Sequence, residues 1–185
     1  KILKAVKEPM VQQAYGNWET IINESIVRAA VIVYMKENNF SATEIEAEYK
    51  EQRKRRFLWI DGLVDTLEIY QANRKEYPTL ESFYPNLVTF FKVTAFNIDK
   101  TVKEYDSKMP KVSHISPDIN GKTDVDPSIK EMIVYFNKPL TGKRMSINWG
   151  SLGKQGVPIS SRPFFMDNNN AIKLELKMEA NKEYE

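Results

Sequence analysis

Apolar residues recur at helical spacing from about Asn17 to Asp99, and beyond Pro110 the period falls to two. Eleven of the fifteen residues from Ile21 to Met35 are apolar, which predicts a helix over roughly Trp18 to Lys36, buried on most sides and stopping at Asn38-Asn39. Ser41-Ala42-Thr43-Glu44 has the form of a capping box. It opens a second helix that continues to about Arg74 through Ile45, Tyr49, Ile60, Leu63, Leu67 and Tyr70, with Gly62 as its weak point. A third helix starts after Pro78 with Thr79 as its cap and carries Phe83, Leu87, Phe90 and Phe91. Pro85 within it predicts irregular or kinked first turns.

Three later segments alternate as strands do: 111–117, 131–139 and 171–177. Turn formers separate them, among them Asn120-Gly121, Asp126-Pro127, Thr141-Gly142 and the run 167–170. Short strands between such turns predict a sandwich. The expected fold is therefore α + β in two domains, a helical unit over 1–106 and a β-sandwich over 107–185.

Composition changes this picture little. The 185 residues are 42% hydrophobic and 28% charged, as in a folded chain. Twenty-seven basic and 25 acidic residues leave +2, so charge gives no reason to expect nucleic acid as a partner. There is no cysteine, hence no disulfide, thiol nucleophile or thiolate metal site. No apolar run reaches the roughly 18 residues of a membrane-spanning helix. His114 is the one histidine, too few for a self-contained zinc site of the usual kind.

Against that background Glu24 and Arg28 stand out, an acid and a base one turn apart on the most apolar helix. One reading is an i,i+4 ion pair that only stabilises the helix. The other places Glu24 on a face with Val27, Val31 and Tyr34, its carboxylate pointing into protein as a metal ligand, with Arg28 holding it. Arg56 is in line with Ile45, Tyr49, Gln52 and Ile60, and so either reaches to water or meets a carboxylate in a cleft. The basic run 50–56 lies among acids and is expected to be a solvated face. Asp61 and Asp65 have the spacing of paired catalytic carboxylates but are expected on the solvent side, and Trp149, Phe164 and Phe165 are expected in the sandwich core rather than on a sugar-binding face. The segment 142–156 lacks the ending of a P-loop.

The stretch "NESIVRA" (23–29) resembles the downstream half of the gluzincin metallopeptidase site, and "YGNWETIINESIVRA" (15–29) resembles a family of secreted bacterial proteins joining a metallopeptidase-like helical domain to an immunoglobulin-like one. The resemblance implies that Glu24 is the third zinc ligand and Asn23 the residue before it, with a peptide or protein as substrate and a secreted, periplasmic or cell-surface location. HExxH, which would supply two histidines and the general base, occurs nowhere in the 185 residues. It is expected upstream in a longer parent; otherwise the domain is a relative that lost its metal. The chain alone is not expected to hydrolyse anything. "MPKVSHISPDINGKTDVDPSIKEMIVYFNKPL" (109–140) resembles the opening of a bacterial immunoglobulin-like domain, and "LELKMEANKEYE" (174–185) resembles the strand and turn before its last hairpin, which implies an incomplete sandwich continuing past Glu185. The competing expectation is a non-catalytic cell-surface binding protein or a purely structural pair of domains.

Overall fold

The computed structural model describes residues 1–141 and 149–184, so part of the segment weighed against a P-loop lies outside the described residues. Five helices precede an antiparallel sheet, and the chain divides into two units, Lys1–Lys108 and Met109–Glu185.

The helical unit comprises α1 (Ile2–Val11), α2 (Trp18–Glu37), α3 (Ala42–Lys54), α4 (Ile60–Ala72) and α5 (Leu80–Lys108). α1 was not foreseen. Ile2, Val6 and Met10 form its buried stripe, and Pro9 sits inside it. Asn17 caps α2, its side chain accepting a hydrogen bond from Thr20 N–H at 2.8 Å. The Ser41–Glu44 capping box starts α3 as expected. The helix expected to run from 42 to 74 is two helices, however, and the break lies at 55–59 rather than at Gly62. Gly62 is inside α4, where Phe90 packs so closely that an added Cβ would lie 3.1 Å from its ring. α5 runs unbroken past Pro85, with Thr79 Oγ1 accepting from Ser82 N–H at 3.2 Å.

Three chain reversals share one device. Ala14, Asn39 and Arg56 adopt left-handed φ values of 67°, 57° and 73°. The next residue's N–H then returns to a carbonyl five positions back: Tyr15 to Met10 (2.9 Å), Phe40 to Met35 (3.1 Å) and Phe57 to Gln52 (3.0 Å). This is the 6→1 bond of a Schellman motif, which satisfies carbonyls left free at a helix end. Each time the returning residue is aromatic. Tyr15 and Phe57 swing inward and meet edge to face at 5.8 Å.

One core joins the five helices, with Ile21, Ile32, Phe57, Ile60, Leu63 and Phe83 fully or almost fully buried. Each such side chain contributes about 1.5–3 kcal/mol of burial, so packing, not helix propensity, holds the unit together.

The second unit is described by itself. β1 (Val112–Ser116), β2 (Glu131–Phe136), β3 (Phe164–Met166) and β4 (Ala171–Glu175) form one sheet in the order β1-β2-β4-β3, all neighbours antiparallel. Met132 pairs with Leu174 and Val134 with Ile172, so their side chains line one face over the small core. His114 pairs with Tyr135, their rings stacked at 4.1 Å. Among the described residues there is one sheet, and residues outside its strands, among them Ile119, Ile129 and Ile159, pack against its core. Phe165 packs against the core as expected, whereas Trp149 and Phe164 are exposed, which corrects their expected place in it.

Candidate functional site

Arg28 is the centre of the polar structure in the helical unit. Its guanidinium reaches three groups from three parts of the chain: Gln52 Oε1 on α3 at 2.9 Å, the Tyr15 hydroxyl after α1 at 2.7 Å, and Glu24 Oε2 on α2 itself at 3.0 Å. It also lies over the Phe57 ring, 4.9 Å from the centroid. Two of the Schellman turns thus deliver the Tyr15 and Phe57 rings that flank it. Tyr15 in turn donates weakly to Glu24 Oε2 at 3.4 Å. Gln52, almost fully buried, donates to Glu48 Oε1. Arg28 Nε is buried with no hydrogen-bond partner among the described residues.

The two charges differ in how far they leave water. The Arg28 side chain is 17% exposed and that of Glu24 39%. Both Arg28 and Tyr15 engage Oε2 of Glu24, and among the described residues no hydrogen bond reaches Oε1. The carboxylate is therefore oriented through one oxygen and free at the other. An exposed i,i+4 pair is worth only a few tenths of a kcal/mol. This pair is different because the arginine is held independently by Gln52 and Tyr15.

The face assigned to Glu24 from the sequence needs correction. Val27, Val31 and Tyr34 point to solvent; the inward side of α2 is Ile21, Ser25, Ala29, Ile32 and Val33. Most of the apolar run fits both faces of a helix, so composition alone could not tell them apart. Glu24 lies at the border between the two, and Asn23 is exposed. Ser25 is buried because its hydroxyl donates to Ile21 O at 2.6 Å and accepts from Trp59 Nε1 at 3.0 Å.

Arg56 meets a carboxylate, Asp106 on α5, and lies over the Tyr105 ring at 5.0 Å. It belongs to a different constellation from Arg28. Within the basic run, Arg53 and Arg55 are also paired, with Asp61 and Glu51. Arg53 grips both oxygens of Asp61, which raises the Arg53 pKa further, while Asp65 stays exposed. Beside them, burial and the Asp61, Asp65 and Glu68 charges push the Tyr49 phenol up to about 12. Asp61 is thus committed to an ion pair and not arranged with Asp65 as a catalytic couple.

Among the described residues no three His, Cys, Asp or Glu side chains are grouped to hold a metal. Glu24 is a single donor, and the cationic Arg28 beside it is a partner for a carboxylate, not for a metal ion. The described side chains therefore do not fit a complete zinc centre, which takes at least three protein ligands. Tyr15, Gln52 and Phe57 went unrecognised in the sequence; the one available signal was the aromatic that follows each reversal.

Residues 1–90 match the family described as Domain of unknown function (DUF4932), a span that covers α1 to α4 and the start of α5. No curated protein and no solved structure matches the chain. No helix among the described residues is long and apolar enough to cross a membrane.

Proposed function

We propose that Glu24 is one ligand of a zinc centre in a metallopeptidase-like protein, the remaining ligands coming from polypeptide outside these 185 residues. The observation that carries this reading is the carboxylate's division of labour: Oε2 fixed by Arg28 and Tyr15, Oε1 unengaged, at the edge of an uncovered helix face. A metal-binding carboxylate needs such an outer partner to hold its orientation. Arg28 is the partner, with Tyr15 and Gln52 setting its position; Asn23, exposed, has no part in holding Glu24. Arg56 is paired with Asp106 rather than with the residues around Glu24. A peptide or protein is the substrate class, the sheet unit an immunoglobulin-like accessory module, and the setting secreted, periplasmic or cell-surface. These go with the resemblance in residues 15–29 and 109–140.

Zinc analysis of the full-length gene product tests the reading. Wild type carries stoichiometric zinc and Glu24→Gln loses most of it. Equal zinc in both removes Glu24 from the site. Residues 1–185 alone bind no zinc tightly.

A second reading, a non-catalytic binding protein, draws on a separate observation: the outward face of α2 is apolar, with Val27 60% and Tyr34 59% exposed.

A further inference from the structure

The outward face of α2 has its own pattern. Val27, Ala30, Val31 and Tyr34 follow one another at steps of three, one and three residues, so they form a single exposed stripe. Beside its C-terminal end, an apolar groove of about 210 Å³ runs between α2 and α4, lined by Ala30, Val33, Tyr34, Leu67 and Tyr70 with Glu37 in its wall. That volume is below the roughly 300–1,000 Å³ of small-molecule sites and suits one long side chain.

Charge decides what kind of partner fits. Glu24 pairs with Arg28, and Lys36 with Glu68. Glu19 and Glu37, at opposite ends of the stripe, have no ion-pair partner among the described residues. They lie 18 residues apart on the helix (37 minus 19), or roughly 27 Å. Glu37 is moreover at the C-terminus of α2, where the helix dipole already favours a cation. The face is therefore apolar in the middle and negative at both ends.

A second copy of the chain does not satisfy it. Paired parallel, each glutamate meets its own equivalent; paired antiparallel about Val27 and Val31, Glu19 meets Glu37 of the other copy. Like charges so placed oppose association. A helix with apolar residues at three-to-four spacing and basic residues at its ends satisfies both features at once.

We propose that this face docks a basic amphipathic helix of another polypeptide, with one lysine or arginine laid along the α2–α4 groove so that its stem contacts Tyr34 and Tyr70 and its charge meets Glu37. Arg74 already places a cation over the Tyr70 ring, at 4.5 Å, so only the apolar stem of the incoming residue reaches Tyr70 and its charge is met by Glu37. The inference is independent of any metal at Glu24.

Two synthetic helical peptides of about 18 residues test it by NMR titration of the labelled chain. Both carry leucine and alanine on one face; one has lysines at both ends, the other glutamates. The lysine peptide is expected to bind at least tenfold more tightly, moving the amide signals of Val27, Ala30, Val31, Tyr34 and Glu37. The double variant Glu19→Lys/Glu37→Lys, whose changes are on the exposed surface, is expected to reverse the preference with an unchanged circular dichroism spectrum. Absence of saturable binding, equal binding of both peptides, or shifts confined to another surface would overturn the proposal. So would a wild-type dimer dissociated by Val27→Asp, which would make the occupant a second copy.

Discussion

Arg28 and Glu24 are joined by a 3.0 Å ion pair along α2, yet the glutamate is only one of the arginine's three hydrogen-bond partners. Gln52 and Tyr15 hold the arginine from two other directions, and it is much the more buried of the two. The fold needs Arg28; it has far less need of Glu24.

That asymmetry predicts unequal substitutions. Arg28→Met strands the buried Gln52 carbonyl, leaves the Tyr15 hydroxyl only its weak bond to Glu24, and costs about 2–3 kcal/mol. Glu24→Gln costs less than about 1 kcal/mol, because the carboxylate is partly solvated. Urea denaturation of both variants measures the difference. Equal losses would make the pair a structural bridge and nothing more.

Ser25→Ala is expected to cost about 1–3 kcal/mol, although it removes a single oxygen. The Trp59 indole N–H loses its acceptor in a place water does not reach. Trp59→Phe made in the Ser25→Ala background should then cost less than it does in the wild type. Thermal denaturation of the four proteins closes this cycle.

Gly62 and Phe90 form a second coupled pair. Alanine is favoured over glycine within a helix by about 0.8–1 kcal/mol, but here the new methyl meets the Phe90 ring. Gly62→Ala should gain less than that in the wild type and recover the full gain in a Phe90→Ala background. An identical gain in both backgrounds would place the ring elsewhere.

The α3 capping box gives a pH signature. Hydrogen bonds from Ser41 lower the Glu44 pKa below its ordinary 4.5. A lowered folded-state pKa means stability that is fully present above pH 4.5 and lost as the pH falls through the folded value. Ser41→Ala is therefore expected to destabilise at neutral pH and to approach the wild type in acid. Denaturation midpoints at several pH values check it.

How much of this was legible in the chain depended on which residue marked each boundary. Asn39 is a residue that tolerates left-handed backbone, and the end of α2 was readable from it. Arg56 and Ala14 take the same conformation without looking like turn formers, so the α3–α4 break and the end of α1 were hidden. The helical stripe through Gln52, Arg56 and Ile60 continued across that break and suggested one helix. β3 has three residues, too few to show alternation. Ser41, Thr79 and the strand alternations were read correctly because each acts through its nearest neighbours. The spacing of Glu24 and Arg28 shows in the sequence, whereas Tyr15 reaches both and Gln52 reaches Arg28 only through the tertiary fold.

Anomalous diffraction at the zinc absorption edge tests whether Glu24 is held ready for a metal. In crystals of the full-length gene product, a zinc peak is expected about 2.0–2.2 Å from a Glu24 carboxylate oxygen, with Arg28 still bonded to the other. A zinc ion bound without Glu24, or no zinc in protein prepared with the metal present, would show that Glu24 is not a zinc ligand.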